Sequence, residues 1–225
     1  MTPRGVRVGV VTGALSVSLL AAVTSTTEAA VYTPSNTTTF TMTSLTFGPA
    51  TPGSTIIKIY GTATTISDVN VTLNSVAHNN PDDLDILLVG PDGTAVPLVS
   101  DVCGSSASGS ITLDDEAAAA APDAGPCPPG SYKPNNVGSG DTWDITPTGS
   151  TLAAFDTKVA NGSWTLWVRD DTAPGGTGTI GGWSLTITTA ANAAMAIPGP
   201  TSTVGDGVAN PYPLPITVTS CQKAV

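Results

Sequence analysis

Five aspartates are the residues best suited to chemistry in this chain. Asp82, Asp83 and Asp85 lie at the start of one strand-like run, and Asp170 and Asp171 close another. Carboxylates are hard oxygen donors, and calcium takes roughly six to eight such oxygens. If neighbouring loops bring the two groups together, they form the beginnings of a calcium site. Their spacing is not that of an EF-hand loop. The competing reading is that Asp83 and Asp170 accept hydrogen bonds from backbone amides in turns, where Asp is favoured. Asp114, Asp115 and Glu116 make another acidic cluster, with a weaker case for metal. Asp supplies 15 of the 17 acidic residues, a bias that serves turns and oxygen ligation alike.

Other chemistries find less support. His78 is the single histidine, so it alone could act as the base of a Ser-His-Asp triad. No GxSxG elbow is present, and no Gly-Thr-Ser nucleophile segment. Two-carboxylate glycoside hydrolysis needs only a suitable Asp pair, but aromatic residues for sugar stacking are few. The expectation is a chain that is not an enzyme, with an Asp-dependent hydrolase as a distant alternative. Cys103 and Cys127 bracket one loop and are the natural disulfide pair in an oxidising compartment, which leaves Cys221 over. No CxxC is present, which argues against a structural zinc.

That compartment is indicated by the first residues. Arg4 and Arg7 precede an uncharged, mostly apolar run from Val8 to Val23, and Ala29 and Ala30 follow as small residues for cleavage. This is the pattern of a secretory signal peptide over 1–30. No second apolar run of spanning length follows, so membrane insertion is not expected, and the mature chain is expected to be extracellular. A formal net charge of −10 argues against nucleic acid, or an anionic membrane, as a partner for a basic face.

The elements that must hold these residues read as strands. Abundant Thr, Gly, Pro and Val with scarce Lys, Gln and Glu favours short strands and turns. Asp68, Asn70, Thr72 and Asn74 alternate with Val69, Val71 and Leu73, with Val76 beyond Ser75. Such alternation buries one face. Leu84–Val89 is a continuous apolar strand, Gly90-Pro91-Asp92-Gly93-Thr94 a turn, and Ala95–Val99 its return; the three strands are expected to form a meander. Trp164, Leu166 and Val168 alternate with polar neighbours, as do Trp183, Leu185 and Ile187, and the two runs are expected to pair. Trp164 and Trp183 fall in buried phase, and Trp167 on the opposite face. The stretch from Asp101 to Ser150 reads as loops with strand pieces at Ser110–Leu113 and Trp143–Ile145 and one helical turn over Glu116–Ala121. Asn36, Asn70 and Asn161 sit in glycosylation-type triplets. The organisation expected is a leading strand or linker over 31–53, a sandwich over 54–190, and a linker with the truncated start of a second repeat over 191–225.

One ordered set of motifs resembles a known family. Asp68-Val69-Asn70-Val71-Thr72-Leu73, His78, Asp83-Leu84-Asp85-Ile86-Leu87-Leu88, Gly90-Pro91-Asp92-Gly93-Thr94, Asn161-Gly162-Ser163-Trp164-Thr165-Leu166, Asp170 and Gly182-Trp183-Ser184-Leu185 are similar to the P domain, or P/Homo B domain, of subtilisin-like proprotein convertases. The resemblance covers about Ser54 to Thr188. It is closest to bacterial secreted modules that occur in tandem, because the stretch from Cys103 to Ser150 is long. It implies an all-β, jelly-roll-like antiparallel β-sandwich in which His78 belongs to the sandwich and performs no catalysis. It also implies a non-catalytic role: stabilising or binding a partner, either a secreted protease catalytic domain or a surface protein. The alternative is a detached accessory domain of a secreted serine endopeptidase.

Overall fold

The computed structural model describes residues 29–43, 48–62, 64–138, 140–172 and 176–191. The expected signal peptide up to residue 28, Cys221 and the repeat start beyond residue 191 lie outside the described residues. Thirteen strands are found among the described residues: β1 (Val31–Tyr32), β2 (Ser35–Asn36), β3 (Phe40–Met42), β4 (Gly48–Ile59), β5 (Ile66–His78), β6 (Leu84–Val89), β7 (Ala95–Ser100), β8 (Ala107–Leu113), β9 (Gly130–Tyr132), β10 (Asn135–Asn136), β11 (Gly162–Asp170), β12 (Gly178–Ile180) and β13 (Trp183–Thr189).

They form one continuous, mostly antiparallel network that is not closed and is folded into two layers. The first layer holds β5 between β13 and β8, with β12 and β3 continuing it. The second runs β4, β11, β6, β7 and β10. β4 joins the layers: its Thr51 pairs with Thr41 of β3, while most of its length runs along β11. The all-β sandwich expected from composition and alternation is what the chain forms.

Alternation sets which face of each strand is buried. Val69, Val71, Leu73 and Val76 of β5 are all buried; the skipped step between Leu73 and Val76 is a bulge at Ser75, whose φ is +50°. Trp164 and Trp183 are fully buried in a core shared by both layers. The Trp183 indole N–H donates to Thr55 Oγ1 of β4 at 2.8 Å, linking one layer to the other. The Trp164 indole donates to the Ala160 carbonyl at 2.9 Å and packs on Phe155, with ring centroids 4.9 Å apart. A buried Trp keeps its apolar contribution only when its N–H finds an acceptor, and both do.

Strand pairing departs from the sequence reading in two places. The meander stops short: β6 and β7 form a hairpin over the Gly90–Thr94 turn, but β5 lies in the other layer. After His78 the chain crosses through a 3-10 turn at Pro81–Asp83. The two Trp strands also lie in opposite layers, with Trp164 beside Ile57 and Trp183 beside Leu73. Alternation specifies a buried face and not the partner strand, so two in-phase strands can equally well sit across the core from one another.

The stretch after β7 is ordered by a few short elements. β8 extends from Ala107, earlier than Ser110, while Trp143–Ile145 and Glu116–Ala121 form neither strand nor helix. Parallel pairs β8–β9 and β7–β10 dock it on both layers. Val137 N–H donates to Ser100 O, and Thr148 N–H to Ala95 O, so the chain runs beside β7. Cys103 and Cys127 are joined, 24 residues apart. Closing a loop of that size contributes about 3 kcal/mol in the chain-entropy account. The double variant Cys103→Ser/Cys127→Ser is therefore expected to melt about 10 °C lower. A scanning calorimetry trace with no shift would mean that the backbone bonds Cys103 N–Pro122 O and Cys127 N–Ser106 O hold the loop unaided.

Candidate metal centre at one end of the sandwich

Four strand ends converge at one end of the molecule. β5 finishes at His78, β6 begins with Leu84 and Asp85, β7 finishes at Ser100 before Asp101, and β11 finishes at Asp170 before Asp171. Register holds them there: Asp170 lies opposite Leu84, Arg169 opposite Asp85 and Ile86 opposite Val99. The period-2 pattern then divides the acids between two faces. Asp170 shares the buried phase of Trp164, Leu166 and Val168. Asp85 is out of phase with the core residues Leu84, Ile86 and Leu88.

The inner group consists of His78, Asp83 and Asp170. Asp83 is spent on local structure: its Oδ2 accepts Asn80 Nδ2 at 2.6 Å and the Gly176 amide at 3.2 Å. Its own carbonyl accepts the Asp171 amide at 2.9 Å. His78 is 4% exposed. Its Nδ1 accepts the Asn80 N–H at 3.3 Å, and its Nε2 faces Asp170 Oδ2 at 3.9 Å, too far for a hydrogen bond. Burial pushes the imidazole below its ordinary range. Gly178 is required beside it, because a Cβ there would lie 2.3 Å from both His78 Cδ2 and the Ala77 carbonyl. Burial raises Asp170 to about 6, with added repulsion from Asp83 and Asp171; its Oδ1 accepts the Thr172 amide.

The outer group is Asp101, Asp141 and Asp171, whose carboxylate oxygens lie within 4.8 Å of one another. Each is half-buried. Asp101 sits at φ +53°, a left-handed conformation that Asp tolerates. Burial, followed by the charges of Asp141 and Asp171, raises it to about 6. Asp171 is also raised by burial, with Asp83 and Asp141 adding repulsion. Asp85 is 2% exposed; its Oδ1 accepts the Ser100 hydroxyl at 2.6 Å, while Oδ2 has no hydrogen-bond partner among the described residues. Burial raises Asp85 to about 7, against the Ser100 bond, and the repulsion comes from Asp171, Asp141 and Asp101.

Of the five aspartates singled out in the sequence, Asp83 and Asp170 turn inward and Asp85 and Asp171 belong with the outer group. Asp82 is partly exposed beside Asp83 and Asp123, and burial raises it. Asp101 and Asp141 were missed. The signal for Asp101 was its place directly after an apolar strand, the same place Asp171 takes after β11. Asp141 had no such signal, since it reaches the site only through the docking of its loop. The cluster at Asp114–Glu116 serves local structure instead: Asp114 Oδ1 accepts the Glu116 amide and Asp115 Oδ2 the Ala153 amide. The amides of Asn36 and Asn161 are bonded to the backbone at Ile56 and Thr62, and that of Asn70 to Asp68.

Removing Asp83 tests whether the inner group is structural. Asp83→Ala leaves the buried Gly176 N–H without its acceptor, an expected cost of about 2 kcal/mol, or roughly 5 °C in melting temperature. Asp83→Asn, which keeps an acceptor oxygen, is expected to lose less. Equal losses in the two variants would show that charge, and not the accepted bonds, is what Asp83 contributes.

The sequence model of the family described as Proprotein convertase P-domain matches residues 135–187, the segment containing β10 through most of β13. Two crystal structures are similar in part. One is of a serine protease of Aeromonas sobria, at 15% identity and a TM-score of 0.37, covering 74% of this chain and 27% of that one. The other is of the same protease in complex with the chaperone ORF2, at 15% identity and a TM-score of 0.37, covering 73% and 27%. The chain thus spans only about a quarter of the length of those proteins. No curated protein matches the sequence. Among the described residues, no helix is long and apolar enough to cross a membrane. Residues 135–187, which lie within the two-layer sandwich, are thus similar to the P-domain of proprotein convertases.

Proposed function

We propose that the chain is a secreted, non-catalytic accessory module that stabilises or binds a subtilisin-like serine protease catalytic domain, and that calcium holds its acidic end together. The match of residues 135–187 to the proprotein convertase P-domain carries this reading. The resemblance implies a domain that works beside a catalytic domain and stabilises it. The surroundings of His78 support the non-catalytic part. A general base must come within about 3 Å of the proton it takes from substrate, whereas this imidazole is buried and flanked by Gly176 and Gly178. The basic, apolar leader and the disulfide support an extracellular setting. Such a setting supplies calcium to modules that bind it with a Kd of about 0.1–1 mM. A surface protein as the partner is the second reading, and it shares the same support.

The test is to express the full chain with and without a secreted subtilisin-like catalytic domain. Together, the protease is expected to keep its activity longer at raised temperature, and the two proteins are expected to co-elute. Alone, the chain is expected to hydrolyse neither peptides nor glycosides. Turnover by the chain alone that survives repurification would overturn the non-catalytic assignment. An unchanged protease half-life with no co-elution would favour the surface-protein partner.

A further inference from the structure

We infer that Asp101, Asp141 and Asp171 are direct ligands of one calcium ion, with Asp85 behind them as a fourth carboxylate, and that this ion clamps the loop after β10 to the ends of β7 and β11. The inference rests on the calcium part of the reading above and says where the ion sits.

Geometry carries it. The three carboxylates come from three separate chain segments, yet their oxygens lie within 4.8 Å of one another. Two oxygens on opposite sides of a calcium ion, each at 2.3–2.6 Å, are about 5 Å apart. Without a cation, so close a group of acids is repulsive. Arg169 stands opposite Asp85 in the β11–β6 ladder and places its Nη1 3.5 Å from Asp144 Oδ1. Asp85 together with Asp101, Asp141 and Asp171 makes this end rich in carboxylates.

Asp85 is the independent observation. Its carboxylate is almost entirely buried, and one oxygen has no hydrogen-bond partner among the described residues. Leaving a buried carboxylate oxygen unpaired is costly, and coordination or a nearby cation removes the cost. The charges that repel Asp85 are those of Asp171, Asp141 and Asp101, so it lies near this cluster. Ser100 holds Oδ1, and the next residue along the chain is Asp101 itself.

The loop is built for close approach. Val137 N–H donates to Ser100 O, and Gly138 follows at φ +83°. A Cβ on Gly138 would lie 2.9 Å from Asp101 Oδ2, so glycine lets the loop pass directly over that carboxylate. The three ligands and Asp85 behind them offer only hard oxygens, with no thiolate or imidazole among them, which selects calcium or magnesium over zinc. Ligands gathered from three loops form an adaptable cage, which suits the flexible coordination of calcium better than the strict octahedron of magnesium.

The test is calcium titration by calorimetry, with thermal melts in calcium and in chelator, on the full chain and on Asp101→Asn, Asp141→Asn, Asp85→Asn and the control Asp156→Asn. Asp156 belongs to a different acidic cleft, with Asp68 and Asp115. The parent is expected to bind one calcium and to melt several degrees higher with it. Asp101→Asn and Asp141→Asn are expected to weaken binding tenfold or more, and Asp156→Asn to leave it unchanged. In chelator, Asp85→Asn and Asp141→Asn are expected to melt at or above the parent, since each removes a repelling charge; this also shows that they fold. If calcium neither binds nor shifts the parent's melt, the site and the calcium part of the proposed function both fail. If calcium binds but Asp101→Asn and Asp141→Asn bind it as the parent does, the site is wrong and the broader calcium reading stands. Equal affinity for magnesium would overturn the choice of calcium.

Discussion

A β-strand can hide one face in a two-layer fold, and this constraint arranges everything else in the molecule. Each layer needs the other to cover its apolar side chains. Here the cover is completed by Trp164 and Trp183, one from each layer, both fully buried and both with satisfied indole N–H groups. The bond from Trp183 to Thr55 runs between the layers, so its geometry depends on how they are seated. Once the layers are seated, the ends of β5, β6, β7 and β11 must meet at one edge.

At that edge the same period of two turns neighbouring acids to opposite faces. Asp170 and Asp171 are neighbours in sequence, yet one continues the buried phase of β11 and the other emerges beyond it. Asp83 Oδ2 accepts from the Asn80 side chain and the Gly176 amide, and Asp170 Oδ1 from the Thr172 amide, much as turn aspartates do elsewhere. Asp85 and Asp171 instead join residues delivered by other loops. The turn-forming reading describes the inner acids; the ligating reading is the one proposed above for the outer group.

The long stretch after β7 is what makes the outer group more than a strand-end ornament. Its one long strand, β8, pairs with β5 and adds Ile111 and Leu113 to the core, but the remainder is held by the Cys103–Cys127 bridge, by short parallel pairings and by single bonds to β7. The single hydrogen bonds and short pairings among these cost little to break individually. A shared ion acting on Asp141 would couple this loop directly to both β7 and β11.

The sequence by itself determined the β class, the buried phase of each well-formed strand, the two core tryptophans, the disulfide pair and the motifs of the P-domain resemblance. These follow from local chemistry: alternation, turn residues and cysteine count act over a few residues and leave their mark there. Only the tertiary structure decided which strands pair, since β5 and β6 are adjacent in sequence yet lie in opposite layers, and an apolar face packs equally well beside a strand or across from it. Only the tertiary structure brought Asp141 to Asp101 and Asp171, because that meeting depends on how a loop with little periodicity folds back over β7, a matter of long-range packing that no short window of sequence encodes.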